Sequence, residues 1–281
     1  WHVVTLKCGE EHAEALAAET GEVLGLAPVV LSRPDCPWAW IDLYVETQGA
    51  ARSAREALGD HPLVLATGAR RCEPRDWQGF WRHHFTSRPV GRRLLIRPDW
   101  EADLAPEHGR ETVIIQPGLS FGTGMNLTTR FCLEQLDDLL AGGAAERVLD
   151  AGSGSGILSI AARKLGVSRV VAMDHDPAAV EQARANAERN GVADGIEFVV
   201  GDVTRDLPPG PFDVVLANLF ANLLVQCSGA LAECTSRAIV LSGIRDDQAD
   251  GVAEAFRLQD LRETLRDSDG EWCGIVFRKR S

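Results

Sequence analysis

The sequence lacks several features that mark other classes of protein. It contains no run of about 18 apolar residues, so no segment is expected to span a membrane as a helix. It does not open on a charged-then-apolar signal segment, which disfavours secretion. Its seven cysteines include no C-x-x-C pair, so zinc and disulfide frameworks are disfavoured. We therefore expect reduced thiols, no metal site and a cytoplasmic location.

The charge balance is also one-sided. The 281 residues carry a net charge of −12, which argues against non-specific binding of nucleic acid. We therefore expect neither a membrane nor a nucleic acid as a stable partner. Hydrophobic residues make up 45% of the chain, enough for a sizeable core. A chain of 281 residues is long enough to form two domains.

One stretch organises the rest of the chain. Residues 148–158 combine a short apolar strand, a D-x-G-x-G-x-G turn from Asp150 to Gly156, and the start of a helix. Glycines such as Gly152 and Gly154 allow close backbone approach, and we expect the turn to present bare N–H groups and a helix terminus to a polar ligand. The alternative is a flexible glycine loop without a ligand.

A second signal follows at the distance that a nucleoside site requires. Arg169 to Met173 form a second short strand that ends in Asp174, about 20 residues after the glycines, where an acidic residue accepts hydrogen bonds from ribose. The turn differs from the nicotinamide fingerprint G-x-G-x-x-G, and no second catalytic constellation is found, which disfavours an oxidoreductase. The pattern resembles motif I of methyltransferases that use S-adenosylmethionine (SAM).

Regular alternation of strands and helices predicts the fold of residues 98–281. It indicates a Rossmann-like α/β domain with a parallel sheet covered on both faces, completed by an antiparallel pair at 263–266 and 273–279. Ligands bind at the carboxyl ends of such strands. Four predicted strand ends therefore converge on one crevice, and they carry Gly152, Asp174, Asp202 and Asn218. Asp202 is equally plausible as an adenine contact or as a turn residue.

The amino-terminal region, residues 1–62, has the order strand, helix, strand, helix. This order predicts a small α+β domain of ferredoxin-like type. The region carries no chemical motif, so it either docks a partner or substrate or serves only as a folding appendage.

The connector of residues 63–97 has a different composition. Its part from 70 to 97 holds eight arginines against two acidic residues, and aromatic side chains fall on one face of a predicted linker helix around Trp77 and Trp81. The arginines either offer a basic surface to a substrate or pair with the acidic body of the protein. The neighbouring His83 and His84 indicate packing rather than a metal site.

The glycine-rich loop 117–124 precedes a helix that starts near Thr128 and Thr129. One interpretation is a lid over the methionine end of the ligand, in which Phe121 packs and the Thr129 hydroxyl donates or accepts a hydrogen bond. The alternative is that Thr129 merely caps its helix.

Taken together, these motifs resemble one family. Residues 75–280 are similar to the bacterial methyltransferases of ribosomal protein L11, through segments that include 121–124, 150–156, 174–177, 217–219 and 271–273. The resemblance implies SAM as cofactor, a ferredoxin-like substrate-recognition domain, a linker helix and a seven-stranded methyltransferase domain. It also implies SAM contacts at Thr129, Gly152, Asp174 and Asn218.

The chain departs from the family pattern at one position. The family loop usually reads F-G-T-G-x-H-x-T-T, and Asn126 stands here in place of the histidine. Asparagine keeps hydrogen-bonding capacity but cannot accept a proton near neutral pH. Either the histidine is not a base in the family or this chain has a changed substrate or activity.

The chemistry of methyl transfer to an amine points to Asn218 as the catalytic residue. Its side chain, with backbone carbonyls near Leu219 and Phe220, would accept hydrogen bonds from the amine and aim its lone pair, whereas the alternative is a helix cap. The resemblance implies SAM-dependent N-methylation of lysine ε-amines on ribosomal protein L11, with the α-amine as a further acceptor. The alternatives are a lysine methyltransferase for another protein, such as the electron-transfer flavoprotein β subunit, and a SAM-binding module without transfer activity.

Overall fold

The computed structural model describes residues 2–24, 28–31, 36–45, 47–59, 61–71, 86–105, 108–116, 127–143 and 145–280. The chain divides into two units, residues 1–84 and residues 85–281. Among the described residues, no helix has the length and apolar character needed to cross a membrane.

The first unit is an antiparallel sheet accompanied by two helices. Its elements follow the order β-α-β-β-α-β, with the bounds β1 His2–Gly9, α1 Ala13–Leu24, β2 Val29–Leu31, β3 Trp38–Val45, α2 Gln48–Leu58 and β4 Ala66–Arg71. The strands pair in the spatial order β2-β3-β1-β4. This is the ferredoxin-like topology predicted for the amino-terminal region.

Alternating apolar residues build the core of this unit. Leu6 of β1 lies opposite Ile41 of β3, and Val4 lies opposite Leu43. All four side chains are fully buried on the face that the helices cover. Because successive residues of a strand point to opposite faces, this register puts the apolar set on one side of the sheet.

The predicted connector of residues 63–97 is divided between the two units. Ala66–Arg71 is the fourth strand of the first sheet, whereas β5 (Arg88–Val90) and β6 (Leu94–Pro98) belong to the second unit. The predicted linker helix, with its aromatic stripe and its two histidines, lies outside the described residues and stays a prediction.

A three-stranded sheet opens the second unit. β5 and β6 pair antiparallel, and β7 (Glu111–Ile115) pairs parallel with β6. Helix α3 (Leu127–Ala141) is tied to the turn between β5 and β6 through Asp137. The carboxylate of Asp137 accepts from the backbone N–H groups of Arg92 (2.6 Å) and Arg93 (3.1 Å) and from Nε of Arg93 (2.6 Å).

The larger sheet of the second unit has seven strands. Its strands and helices alternate along the chain with the bounds β8 Arg147–Ala151, α4 Ile157–Lys164, β9 Arg169–Asp174, α5 Pro177–Arg189, β10 Ile196–Val200, β11 Phe212–Asn218, α6 Ala221–Cys234, β12 Thr235–Arg245, α7 Ala249–Arg257, β13 Leu261–Ser268 and β14 Trp272–Lys279. The spatial order is β10-β9-β8-β11-β12-β14-β13. The first five of these are parallel, and β14 runs antiparallel to both β12 and β13.

This topology confirms the predicted Rossmann-like fold. The central strands are short and buried on both faces, as expected of a parallel sheet between helices. The strand order reverses between β8 and β11, so the connections after these two strands leave on opposite sides and open a crevice at their carboxyl ends. Most of the polar residues singled out by the sequence lie at that edge.

Candidate active site

The turn after β8 has a conformation that only glycine adopts readily. Gly152, Gly154 and Gly156 have φ angles of +82°, +51° and +78°. A side chain at residue 152 would also overlap Cδ2 of Leu219, which follows the neighbouring strand β11. Positive φ angles and close packing therefore both account for the glycines of the motif.

The N–H groups of this turn are not bare, which corrects the expectation from the sequence. Gly152 and Ser153 both donate to the carbonyl of Met173 at 2.8 Å, and Gly154 donates to Oδ2 of Asp174 at 2.8 Å. The end of β9 thus holds the turn in place. The turn therefore offers a ligand space close to the backbone. It does not offer an array of free N–H groups of the kind that binds anions.

Asp174 lies where the ribose acceptor was predicted. Its side chain is 10% exposed, and besides Gly154 it accepts from the backbone N–H of Asp176 at 3.1 Å. His175 Nδ1 lies 3.2 Å from the same carboxylate. Each oxygen of a carboxylate can accept about two hydrogen bonds, so the held carboxylate keeps capacity for a ligand hydroxyl.

Asp150 is a buried acid that the sequence placed in the motif but not among the site residues. Its Oδ2 accepts from the N–H (3.0 Å) and the hydroxyl (2.6 Å) of Ser159 in α4. Burial raises the pKa of Asp150 to about 7, against the lowering effect of Ser159, and the nearby charge of Asp174 adds to the rise. Asp150 therefore caps helix α4 from inside the core.

Two buried polar atoms at this edge have no hydrogen-bond partner in the part of the chain that the structure describes. They are Oδ1 of Asp150 and Oγ of Ser153. Buried polar atoms are nearly always paired in native proteins. Unpaired oxygens beside a close-packed glycine turn are the environment that a polar, nucleoside-bearing ligand such as SAM would complete, so the residues present fit that cofactor.

Asn218 and Thr129 come together although 89 positions separate them. Asn218 ends β11, Thr129 lies in the first turn of α3, and the Nδ2 of the asparagine donates to the Thr129 hydroxyl at 3.4 Å. Gly243 lies on the other side of Asn218, where a Cβ atom would stand 2.9 Å from Oδ1 and 2.7 Å from the carbonyl oxygen of Leu219. The segment 241–244 also carries the family resemblance, but the sequence alone assigned no role to Gly243, because that role depends on a neighbouring strand.

Asp202 follows β10 and is engaged within its own turn. Its carboxylate accepts from the N–H (2.9 Å) and the hydroxyl (2.7 Å) of Thr204 and pairs with Arg205 at 2.8 Å. The hydrogen bonds from Thr204 and the pairing with Arg205 lower the pKa of Asp202. These contacts favour the interpretation as a turn residue, and the adenine contact stays a prediction.

Some predicted features lie elsewhere. Phe121 and Asn126 fall in residues 117–126, outside the described residues. Among the residues that are described, no group of three or more His, Cys, Asp or Glu side chains is arranged to hold a metal ion. Helix α3 and β14 border a shallow surface cleft, which Arg130, Glu134 and Trp272 help to line.

The chain resembles known proteins over most of its length. The family model described as ribosomal protein L11 methyltransferase (PrmA) matches residues 42–280. The ribosomal protein L11 methyltransferase of Geobacter sulfurreducens is 39% identical over 248 residues, which cover 85% of this chain and 80% of that protein. That of Vibrio cholerae serotype O1 (strain O395) is 41% identical over 299 residues, 99% of each chain.

A solved structure agrees with these relatives. The crystal structure of the ribosomal protein L11 methylase from Lactobacillus delbrueckii subsp. bulgaricus superposes with a TM-score of 0.62 at 28% identity, and the match covers 70% of this chain and 99% of that one. Family model, relatives and solved structure all lead to one assignment. The chain belongs to the ribosomal protein L11 methyltransferase family of SAM-dependent enzymes.

Proposed function

We propose that this chain transfers methyl groups from SAM to amino groups of ribosomal protein L11, at lysine ε-amines and at the α-amine. The observation that carries the proposal is the position of Asn218. It ends the strand next to β8, and its Nδ2 is held by Thr129. That bond leaves Oδ1 as the acceptor atom on the side of Gly243.

The cofactor contacts form the second part of the proposal. SAM, when bound, supplies a methyl group on a positively charged sulfur, whose departing group is a neutral thioether. Asp174 would hold the ribose hydroxyls, and the turn at Gly152 and Gly154 would accommodate the ligand against the backbone. Thr129 and Asn218 would contact its methionine end, with Phe121 and Asp202 as further predicted contacts.

The reaction requires an uncharged amine. A lysine side chain with a pKa near 10.4 is mostly protonated at neutral pH, and removal from water lowers that pKa. An asparagine oxygen accepts a hydrogen bond but takes up no proton, so the role of Asn218 is to orient an amine that has already lost its proton. Orientation of this kind, with reacting atoms about 3 Å apart, is a large part of catalysis.

A second acceptor is needed to fix the direction of the lone pair. The carbonyl of Phe220 already accepts from the N–H groups of Leu223 (3.0 Å) and Leu224 (3.1 Å) in α6. The carbonyl of Leu219 lies beside Gly243 and next to Asn218. We therefore favour Oδ1 of Asn218 and the Leu219 carbonyl as the pair of acceptors.

A ribosomal acceptor implies a cytoplasmic enzyme. The six cysteines that the structure describes are free thiols, which is consistent with that location. Burial raises the pKa of both Cys227 and Cys234 to about 11, so neither is a reactive thiolate at neutral pH.

Intact-mass analysis of purified ribosomal protein L11 after incubation with enzyme and SAM tests the proposal. We expect mass increments of whole methyl groups, mapped by peptide sequencing to lysines and the amino terminus. The electron-transfer flavoprotein β subunit serves as the alternative acceptor in a parallel reaction. Methylation of that protein alone would overturn the assignment of ribosomal protein L11 as the substrate. Binding of SAM without methylation of either protein would favour a SAM-binding module that has no transfer activity.

A further inference from the structure

The helix behind the glycine turn contacts the turn through two neighbouring side chains. Ala183 and Asn186 lie three residues apart, on one face of α5. A Cβ atom on Gly156 would stand 2.8 Å from the Cβ of Ala183, so the helix packs directly against the end of the turn. Asn186 donates from Nδ2 to the carbonyl of Ser155 at 2.9 Å.

The other end of the Asn186 amide faces β7. Oδ1 accepts from the backbone N–H of Gln116 at 3.1 Å, and Nη1 of Arg189 donates to the same oxygen at 3.1 Å. Asn186 is 1% exposed, and all of these bonds are made within the second unit. One buried amide thus joins the carbonyl of the glycine turn to the end of the three-stranded sheet.

One turn further along α5, Asn190 provides a natural comparison. Its Oδ1 accepts from the N–H of Ile114 at 2.8 Å and its Nδ2 donates to the Ile114 carbonyl at 2.6 Å. It is 7% exposed and therefore similarly buried. Asn190 holds the same strand as Asn186, and its Nδ2 also donates to the backbone carbonyl of Asn186 at 2.8 Å, but its hydrogen bonds do not reach the glycine turn.

We propose that Asn186 is a positioning residue for the SAM site: its amide fixes the Ser155 carbonyl and thereby the left-handed geometry of the glycine turn. Gly154 and Gly156, on either side of Ser155, have φ angles of +51° and +78°, and glycine is free to leave such conformations. A hydrogen bond to the peptide between them restricts that freedom. The loss of this bond should weaken cofactor binding more than it slows transfer at saturating SAM. The proposal rests on the assignment of the turn as the SAM site.

The test measures the binding of S-adenosylhomocysteine by calorimetry, steady-state kinetics with SAM, and thermal stability in matched variants. We expect Asn186→Ala to raise the Kd for S-adenosylhomocysteine and the KM for SAM about tenfold, while kcat changes less than about threefold. Asn190→Ala should lower the melting temperature to a similar extent and leave Kd unchanged. Equal Kd values in the two variants would overturn the proposal.

A second variant separates the two ends of the amide and covers the case in which Asn186→Ala does not fold. Asn186→Asp keeps an acceptor for Gln116 and Arg189 and, as the ionised carboxylate beside Arg189, cannot donate to Ser155, so the assay is run well above neutral pH. We expect it to fold and to show the raised Kd. Wild-type affinity in Asn186→Asp would contradict the role of the Ser155 bond.

A separate variant tests whether the glycine turn is the binding site for the cofactor. Gly152→Val overlaps Cδ2 of Leu219 at a φ of +82° and so distorts the turn; in a variant shown to be folded by its thermal transition, it should abolish binding of S-adenosylhomocysteine if the ligand lies at the turn. Unchanged binding in Gly152→Val would overturn both the site assignment and the proposal. Lost binding there, with wild-type affinity in the Asn186 variants, would overturn the positioning role alone.

Discussion

Two neighbouring turns at the carboxyl edge of the sheet are built in opposite ways. In the turn after β8, backbone N–H groups of Gly152 and Gly154 are bonded to the end of β9, and helix α5 packs behind it. After β11, the part of the chain that the structure describes gives the side chain of Asn218 a single long hydrogen bond, to Thr129 at 3.4 Å. The first turn is held by the protein, and the second leaves an acceptor atom for another molecule.

Under the proposed site assignment, this difference in hydrogen bonding separates cofactor binding from orientation of the substrate amine. A cofactor site benefits from a fixed shape, because the protein does not then lose conformational entropy when the ligand binds. A site that orients a substrate amine needs polar atoms whose hydrogen bonds are not already made. Changes at the Asn218 side should therefore act on transfer, whereas changes at the glycine turn should act on binding or stability.

The largest expected effect is that of Asn218→Ala. We expect kcat to fall by about 10² to 10³, the range seen when one preorganised hydrogen-bonding group is removed from an active site. The Kd for S-adenosylhomocysteine should rise far less, by no more than about tenfold, because Asn218 is only one of several proposed contacts of the cofactor. Asn222→Ala, an exposed asparagine in the first turn of α6, is the matched control and should leave both constants unchanged. Full turnover in Asn218→Ala would remove the catalytic assignment.

Asp137→Asn tests the support of α3, which carries Thr129. Burial would raise the pKa of Asp137, but the hydrogen bonds from Arg93 and Arg92 outweigh it and lower that pKa. The stabilisation is thus complete above the unfolded pKa of about 3.9 and is lost as the pH falls through the lower folded pKa. At pH 7 we expect a loss of about 2–3 kcal/mol in the free energy of unfolding.

Denaturant titrations of both variants at several pH values check this prediction. The control is Asp138→Asn, since Asp138 is 57% exposed and pairs with Arg92, which is 72% exposed. An exposed pair of this kind contributes about 0–1 kcal/mol. The Asp137→Asn difference should shrink below pH 4, and equal losses in the two variants would contradict the anchoring role.

Asp150→Asn examines the buried acid of the glycine turn. Because the pKa of Asp150 is raised to about 7, the folded state binds its proton more tightly than the unfolded state does. The wild-type protein is therefore penalised as the pH rises above about 4, and the penalty stops growing above about 7. The variant lacks this titration, so its stability relative to wild type should rise by about 2 kcal/mol between pH 5 and pH 8. A difference that does not vary with pH would show that Asp150 is not the titrating group.

Gly243→Ala gives the smallest expected change. The new methyl group would stand 2.7 Å from the carbonyl oxygen of Leu219 and 2.9 Å from Oδ1 of Asn218, so one acceptor must shift. We expect kcat to fall about tenfold, as a small misplacement of an orienting group does. Gly191→Ala is the control, because its φ is also positive, at +67°, with no atom within 4 Å of the new methyl group. Equal kinetics in the two variants would mean that backbone strain, not displacement of Asn218, sets the effect.

Periodicity predicted the central strands well because each is a short apolar run that ends in a distinctive residue. The strand Arg169–Met173, predicted to end in Asp174, is observed as Arg169–Asp174, and the predicted strand 273–279 is observed as Trp272–Lys279. Strand β4 was assigned to the connector instead, because its arginines conceal the alternation of an exposed edge strand. Strand β4 belongs to the first sheet because it pairs with β1, and a local sequence pattern carries no information about such long-range pairing.

The same limit applies to the site. The positions of the glycine motif and of Asn218 at strand ends could be predicted from residue type and local pattern, and their roles stay predictions. The role of Asn186 depends on Ser155 and Gln116, which lie 31 and 70 positions away, and no local pattern reports such contacts. The sequence also could not predict that the N–H groups of Gly152 and Ser153 are already hydrogen-bonded within the protein, since their acceptor is the carbonyl of Met173 in another strand.

The most direct test of the account is a crystal structure of the protein with S-adenosylhomocysteine. We predict that the ribose hydroxyls donate to the carboxylate of Asp174 and that the ligand packs against the backbone of Gly152 and Gly154. The sulfur atom should be directed toward Asn218. A ligand seated instead in the cleft between α3 and β14, with Asp174 still bonded only to the protein, would contradict the account.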